Sequence, residues 1–279
     1  MRTIKEEEIL NAVKKVCIEA AFDLSKDVKE ALNNALQAEE SEVGKSILRE
    51  LIENAEIASR ERLALCQDTG FAVFFVEIGE QMHIEGSLNK ALTEAVRQAY
   101  QEEFLRKSIV ADPLRRKNTG DNTPCIIHIS FVPGDKLTIM FSAKGGGSEN
   151  MSRVGMLKPA DGIDGVKNFI VETARLAGPN PCPPIIVGVG IGGTFEKAAQ
   201  LAKRAIFRDV GKHNQDPFYA DMEKELLVKI NNLGIGPQGL GGRMFALAVN
   251  IDAFPCHIAS LPLAVNIQCH SSRHRVITI

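Results

Sequence analysis

The sequence predicts a mixed α/β fold, with a helical N-terminal region over residues 1–65 packed on a mixed-sheet α/β body over residues 66–279. Three observations predict it. Apolar residues recur at spacings of three and four through the first sixty positions, a run of aromatic and β-branched residues starts at Phe71, and strand-like and helix-like runs alternate after residue 125. In order, Ile9, Val13, Val16, Cys17 and Ala20 form one helical stripe, and Val28, Leu32 and Ala35 form a second behind a start signal at Ser25. Val43, Ile47, Leu48, Leu51 and Ala55 form a third. Phe71–Ile78, ended by Gly79, is a strand signature, and Leu88, Leu92, Ala95, Val96 and Ala99 return to helical period. Cys125–Val132 and Lys136–Ala143 both read as strands, and Pro133-Gly-Asp between them predicts a β-hairpin. Downstream, residues 165–176, 194–207 and 220–233 read as helices, and residues 185–189, 245–251, 264–267 and 275–279 as strands. No internal repeat or low-complexity tract interrupts this.

Composition narrows the function. The chain has 279 residues, with 33 Lys+Arg against 35 Asp+Glu and a net charge of −2, so no global field draws it to nucleic acid or to an anionic membrane. The acidic start lacks the apolar core of a signal peptide, and no apolar run is long enough to span a bilayer. These features predict a cytoplasmic protein with a small soluble ligand. There its six cysteines are expected as thiols.

The cysteines differ in setting. Cys17 lies on an apolar helix stripe and Cys125 heads an apolar strand, as small core residues do. Cys66, Cys182 and Cys269 instead stand in polar loops, and Cys256 is ambiguous. Prolines on both sides of Cys182 fix the chain and remove donors, as a rigid ligand loop requires. The wide spacings match no structural zinc pattern, and spacing alone does not show that the three meet. Lys144-Gly-Gly-Gly-Ser-Glu-Asn150 reads as a flexible turn or as an anion-binding nest. The basic and amide-rich run 112–124 reads as a solvated loop or as a binding element. Gly188-Val-Gly-Ile-Gly-Gly193 fits G-x-G-x-x-G with Asp209 downstream, but no second strand follows to carry that acid. Tight packing of a helix against the sheet explains those glycines better than a nucleotide does.

Six motifs in order, Cys66-Gln-Asp-Thr-Gly70, Asn118–Pro124, Lys144–Asn150, Asn180-Pro-Cys-Pro-Pro184, Gly188–Thr194 and the ending through His257 and Cys269, resemble the iron–sulfur hydro-lyases: class I fumarases and the related tartrate dehydratases. The resemblance spans nearly the whole chain. It implies that Cys66, Cys182 and Cys269 hold three irons of a 4Fe–4S cluster and leave the fourth open to substrate. It further implies that Gln67, Asp68, Arg106, Gly146 and His257 contact substrate, with Asp68 and His257 as catalytic groups. The implied reaction is hydration of fumarate to (S)-malate, with dehydration of tartrate or a related hydroxy-diacid as the alternative. The chain stops shortly after the third cysteine, where single-chain members continue into a domain with further substrate-binding arginines, a lysine and a threonine. The resemblance therefore implies an α subunit that needs a β subunit for full activity, in an (αβ)2 assembly.

The residue types suit that chemistry. Adding water across the double bond of a dicarboxylate requires neutralising two carboxylates, activating a hydroxyl and moving a proton at carbon. An open iron serves the second need, Arg106 and glycine N–H groups the first, and Asp68 is a candidate proton carrier.

Overall fold

The computed structural model describes residues 2–279. In chain order the elements begin β1 (Arg2–Lys5), α1 (Glu6–Phe22), α2 (Lys26–Ala38), α3 (Glu42–Glu61), β2 (Phe71–Gly79), β3 (Met82–Glu85), α4 (Leu88–Glu102), β4 (Ile126–Val132) and β5 (Leu137–Lys144). They continue α5 (Gly146–Glu149), β6 (Arg153–Leu157), α6 (Gly162–Ala177), β7 (Ile185–Gly192), α7 (Phe195–Ala205), α8 (Pro217–Asn231), β8 (Ala246–Phe254), β9 (Leu261–Gln268) and β10 (His274–Thr278). The class is mixed α/β, as the sequence predicts. None of the described helices is long and apolar enough to cross a membrane.

Two compact units share the chain, and neither is one continuous stretch. The first takes the chain up to Ser25, then Ala55–Gly146 and Ser272–Ile279; the second takes Lys26–Asn54 and Gly147–Ser271.

In the first unit a sheet of order β10-β5-β2-β4 is built on β2. Ala72–Val76 is buried at every position, so β2 presents apolar side chains to both faces and takes an inner place. α1 and α4 pack their stripes on this sheet, bringing Ile9, Val13, Leu92 and Val96 against Phe74 and Phe141. Cys17 is part of that core and Cys125 packs on it, and burial raises both thiol pKa values. The expected hairpin of residues 125–143 does not form. β2 lies between its two arms, parallel to β4 and antiparallel to β5. The Pro133-Gly-Asp turn instead arches over the end of β2, where Gly79 N–H donates to the Lys136 carbonyl at 2.8 Å and Gln81 N–H to the Gly134 carbonyl at 2.9 Å. The chain does turn at Pro133-Gly-Asp, but turn chemistry is local and carries no sign of a strand inserted from upstream. β1, β3 and β6 also escape the pattern, because they contain at most one buried residue each.

The second unit has a sheet of order β6-β9-β7-β8, with β7 parallel to β8 and antiparallel to β9. Alternation along β7 decides what covers it. Val187 and Val189 enter a core with Ile170 of α6 and Leu226 of α8. Gly188 and Gly190 face α7, and a Cβ at Gly190 would stand 2.1 Å from the Ala198 carbonyl oxygen. These glycines therefore lie inside a strand and admit a helix, which is the packing role expected of them and not a phosphate loop.

A buried carboxylate fastens the α2–α3 connection in this unit. Glu39 is 2% exposed and accepts the N–H groups of Glu40, Ser41, Arg243 and Met244 at 2.8–2.9 Å. Burial alone would raise its pKa, but those four N–H donors outweigh burial and lower it. A folded-state pKa below the unfolded value, about 4.3, means that the clasp stabilises above that pH and is lost as pH falls through the folded value. Glu39→Gln is therefore expected to be less stable than the parent at pH 7, with the difference shrinking below about pH 4. Urea titrations at the two pH values read it, and an equal difference at both would refute the linkage.

Candidate active site

The loop before β2 carries the first motif, and the first unit holds it from several sides. The Asp68 carboxylate accepts Gly70 N–H through Oδ1 at 3.0 Å and Gly146 N–H through Oδ2 at 2.7 Å. Thr69 donates its hydroxyl to the Arg106 carbonyl, and the buried Tyr100 hydroxyl lies against the carbonyls of Thr69 and Gly70. Asn122 donates to the Gly70 carbonyl at 3.1 Å while accepting Ser108 N–H at 2.7 Å. Gly70 itself has φ +84°, and a Cβ there would meet the Ala143 backbone at 2.7 Å. Only glycine lets this turn close onto β5.

Three motifs widely separated in sequence thus meet at one end of β2: Cys66–Gly70, Asn118–Pro124 and the start of Lys144–Asn150. In the second of these, Asp121 accepts the Thr123 N–H and hydroxyl and the Arg97 guanidinium. Burial would raise its pKa, yet these donors bring it down to about 2. Of the residues expected to serve substrate, Asp68 and Gly146 are joined by a hydrogen bond, and Arg106 is tied to the same loop through its carbonyl. Gln67, Gly146 and the Arg106 side chain are exposed, and Cys66 and Asp68 are half-buried.

In the second unit Cys182 and Cys269 come to one sheet end. Cys182 precedes β7 and Cys269 follows β9, and the two antiparallel strands place Ile186 opposite Gln268. His270 joins the segments, its Nδ1 lying 2.9 Å from the Cys182 carbonyl. The same Nδ1 lies 3.3 Å from Gln238 Nε2. Gln238 completes the fastening, donating N–H at 2.9 Å and Nε2 at 2.6 Å to the Pro183 carbonyl. Cys182 stands exposed at φ 55°, and Cys269 is half-buried.

His257 lies elsewhere in that unit. It sits between β8 and β9, beside the far end of β7, so the length of an eight-residue strand, roughly 25 Å, separates it from the cysteine end. Its Nδ1 accepts Ala259 N–H at 3.1 Å, and the ring lines a recess with Gly193, Lys197, Phe254 and Cys256.

Tyr100 and Arg273, both in the first unit, were not marked by sequence reasoning. Tyr100 follows the apolar stripe of α4 and reads as one more core aromatic. Arg273 carries no local sign that it is buried.

A profile of the family described as "Fumarate hydratase (Fumerase)" matches residues 10–278. The chain belongs to this family. Among its relatives is a Methanocaldococcus jannaschii protein named "Putative L(+)-tartrate dehydratase subunit alpha", 44% identical over 277 residues and 96% of each chain. An Escherichia coli K12 protein and a Shigella sonnei protein, both named L(+)-tartrate dehydratase subunit alpha, are each 34% identical over 256 residues, 91% of this chain and 84% of theirs. The family's fumarase and dehydratase names describe hydro-lyases, and the relatives are named as alpha subunits.

Proposed function

We propose that this chain is the α subunit of an iron–sulfur hydro-lyase, working in the cytoplasm with a β subunit on a four-carbon dicarboxylate. The leading reaction is reversible hydration of fumarate to (S)-malate; the names of its relatives favour dehydration of L(+)-tartrate as a second reading. The observation that carries the proposal is the clasp of Asp68 between Gly70 and Gly146, two residues from Cys66. It puts a fixed carboxylate, an exposed amide in Gln67 and a candidate thiolate ligand on one turn.

Cys66, Cys182 and Cys269 would hold the cluster. The donor set fits: all three stand in fastened loops, and none is sealed in a core as Cys17 is. When bound, a 4Fe–4S cluster with three cysteine ligands supplies a Lewis-acidic iron to a substrate hydroxyl. The chain's own residues do the rest. Arg106, with its exposed guanidinium, takes a substrate carboxylate, Gln67 hydrogen-bonds the substrate, and Asp68 receives or returns a proton. His257, which the resemblance implies as a catalytic and substrate-binding group, stands a strand's length from Cys182 and Cys269 and is given no step here. The β subunit supplies the remaining anchors, and the (αβ)2 assembly belongs to the same reading.

Iron and acid-labile sulfide analysis of the anaerobically purified α chain tests the site. About four of each per chain are expected in the parent and a loss of most of both in Cys182→Ser. A folded parent that takes up no iron on anaerobic reconstitution would overturn the cluster reading. Comparison of kcat/KM on malate and L(+)-tartrate with the β subunit present then chooses between substrates.

A further inference from the structure

Arg273 heads the largest buried side chains of the described residues, at 2% exposure, and is the second residue of the first unit's last segment, Ser272–Ile279. Its carbonyl accepts Ala143 N–H at 3.1 Å, which fixes it beside the end of β5, immediately before Gly145. Its Nε is sealed from solvent and has no hydrogen-bond partner. A buried guanidinium is costly to keep unless a negative group balances it. The carboxylate in position to do so is Asp68. Around Gly145, the point a Cβ would occupy lies 3.3 Å from Asp68 Oδ2 and 3.8 Å from Arg273 Nη2, so both charges border the space that a residue with no side chain leaves. Tyr100 lies close by, its hydroxyl pKa raised by burial with Arg273 opposing and Asp68 assisting. Each Asp68 oxygen accepts one backbone N–H group and keeps a second lone pair.

We infer that Arg273 is a positioning residue: from beneath Gly145 its charge draws the Asp68 carboxylate inward onto Gly70 N–H and Gly146 N–H, leaving the outward lone pairs of Asp68 for substrate. Arg273 touches neither substrate nor cluster in this role and acts only through Asp68. The inference rests on the proposed hydro-lyase function, in which Asp68 handles the proton, and one of its two tests does not depend on that function.

The first test is kinetic, on the α chain assembled with its β subunit and cluster. Arg273→Met is expected to lower kcat by about 10²-fold, the loss that a misplacement of about 1 Å can cause, with little change in KM. Arg273→Lys, which restores the charge, should recover much of that loss. A purely structural residue would instead lower the melting temperature and show no such recovery. The second test reads the clasp itself. In the full chain labelled with 15N-glycine, the Gly146 amide proton should be shifted downfield by its short bond to Asp68, assigned by its loss in Gly146→Ala, and should move upfield in Arg273→Met. Should Arg273→Met fail to fold, Gly145→Ala sets a methyl against both charges and is expected to shift the same resonance. An unmoved Gly146 resonance in a folded variant, or an unchanged kcat in an active enzyme, would overturn the inference. A parent assembly that turns over no dicarboxylate, with the resonance still responding to Arg273, would count against the hydro-lyase proposal alone.

Discussion

Asp68→Asn, assembled with the β subunit, is expected to lose about 10²–10⁴-fold in kcat, the range that general acid–base groups contribute. Two effects combine. The amide is a poor proton carrier, and it offers one oxygen where the native carboxylate uses two. Gly70 N–H and Gly146 N–H each take a different oxygen of Asp68, so in the variant one of them must face an N–H donor. That mismatch alone costs about 1–3 kcal/mol, visible as a lower melting temperature. The two roles separate in measurement. If Asp68 only caps its own loop, kcat should fall less than about tenfold in protein that remains folded at the assay temperature. A large loss in kcat with a modest loss of stability supports the proton-carrier role, and the Gln67→Ala variant, which leaves the clasp intact, supplies the comparison for a neighbouring side chain.

Sequence pattern reached the secondary structure more surely than the pairing. The stripes at Ile9, Val28 and Leu88 and the run at Phe71 all became the predicted elements, because periodicity is a local property that burial of one face enforces. Pairing is not local. Nothing in residues 125–143 announces that Phe71–Gly79 will slide between the two arms, although the burial of β2 on both faces is a reason for it. The candidate site divides in the same way. Prolines around Cys182 mark a fixed loop in the sequence, but its fastening to His270 is separated by eighty-eight positions and emerges only from the register of β7 with β9. Gly146 could be matched by motif order, whereas its bond to Asp68 could not. Arg273 was hidden altogether, since a lone arginine after two serines looks like surface until β10 pairs with β5 and carries it inside. Gly188–Gly193 shows the opposite case: the motif is plain in the sequence, and Gly188 and Gly190 lie inside β7 against α7, as the packing reading expects.

The largest effect on stability is expected in the second unit, at Glu223. Its side chain is fully buried and ion-paired to Arg208, which also reaches Asp252 and donates to the Ile251 carbonyl at 2.8 Å. Glu223 Oε1 accepts Ile251 N–H at 2.7 Å, and Oε2 accepts Asn214 N–H at 3.0 Å with His213 Nδ1 at 3.3 Å. One carboxylate thus pins the loop after α7 to β8. Glu223→Ala removes one of the two carboxylates on a half-buried guanidinium and strands two N–H groups, a loss of about 3–5 kcal/mol. Glu223→Gln should lie between, because its amide can accept from one of the two N–H groups but opposes the other. Far-UV circular dichroism during urea titration measures both, the chain having no tryptophan for fluorescence. A double-mutant cycle with Arg208→Ala isolates the pair: removing Arg208 first should reduce the further cost of Glu223→Ala, since the ion pair between them is then already lost. Additive losses would instead assign the energy to the stranded N–H groups of Ile251 and Asn214, and make Arg208 a bystander held by Asp252.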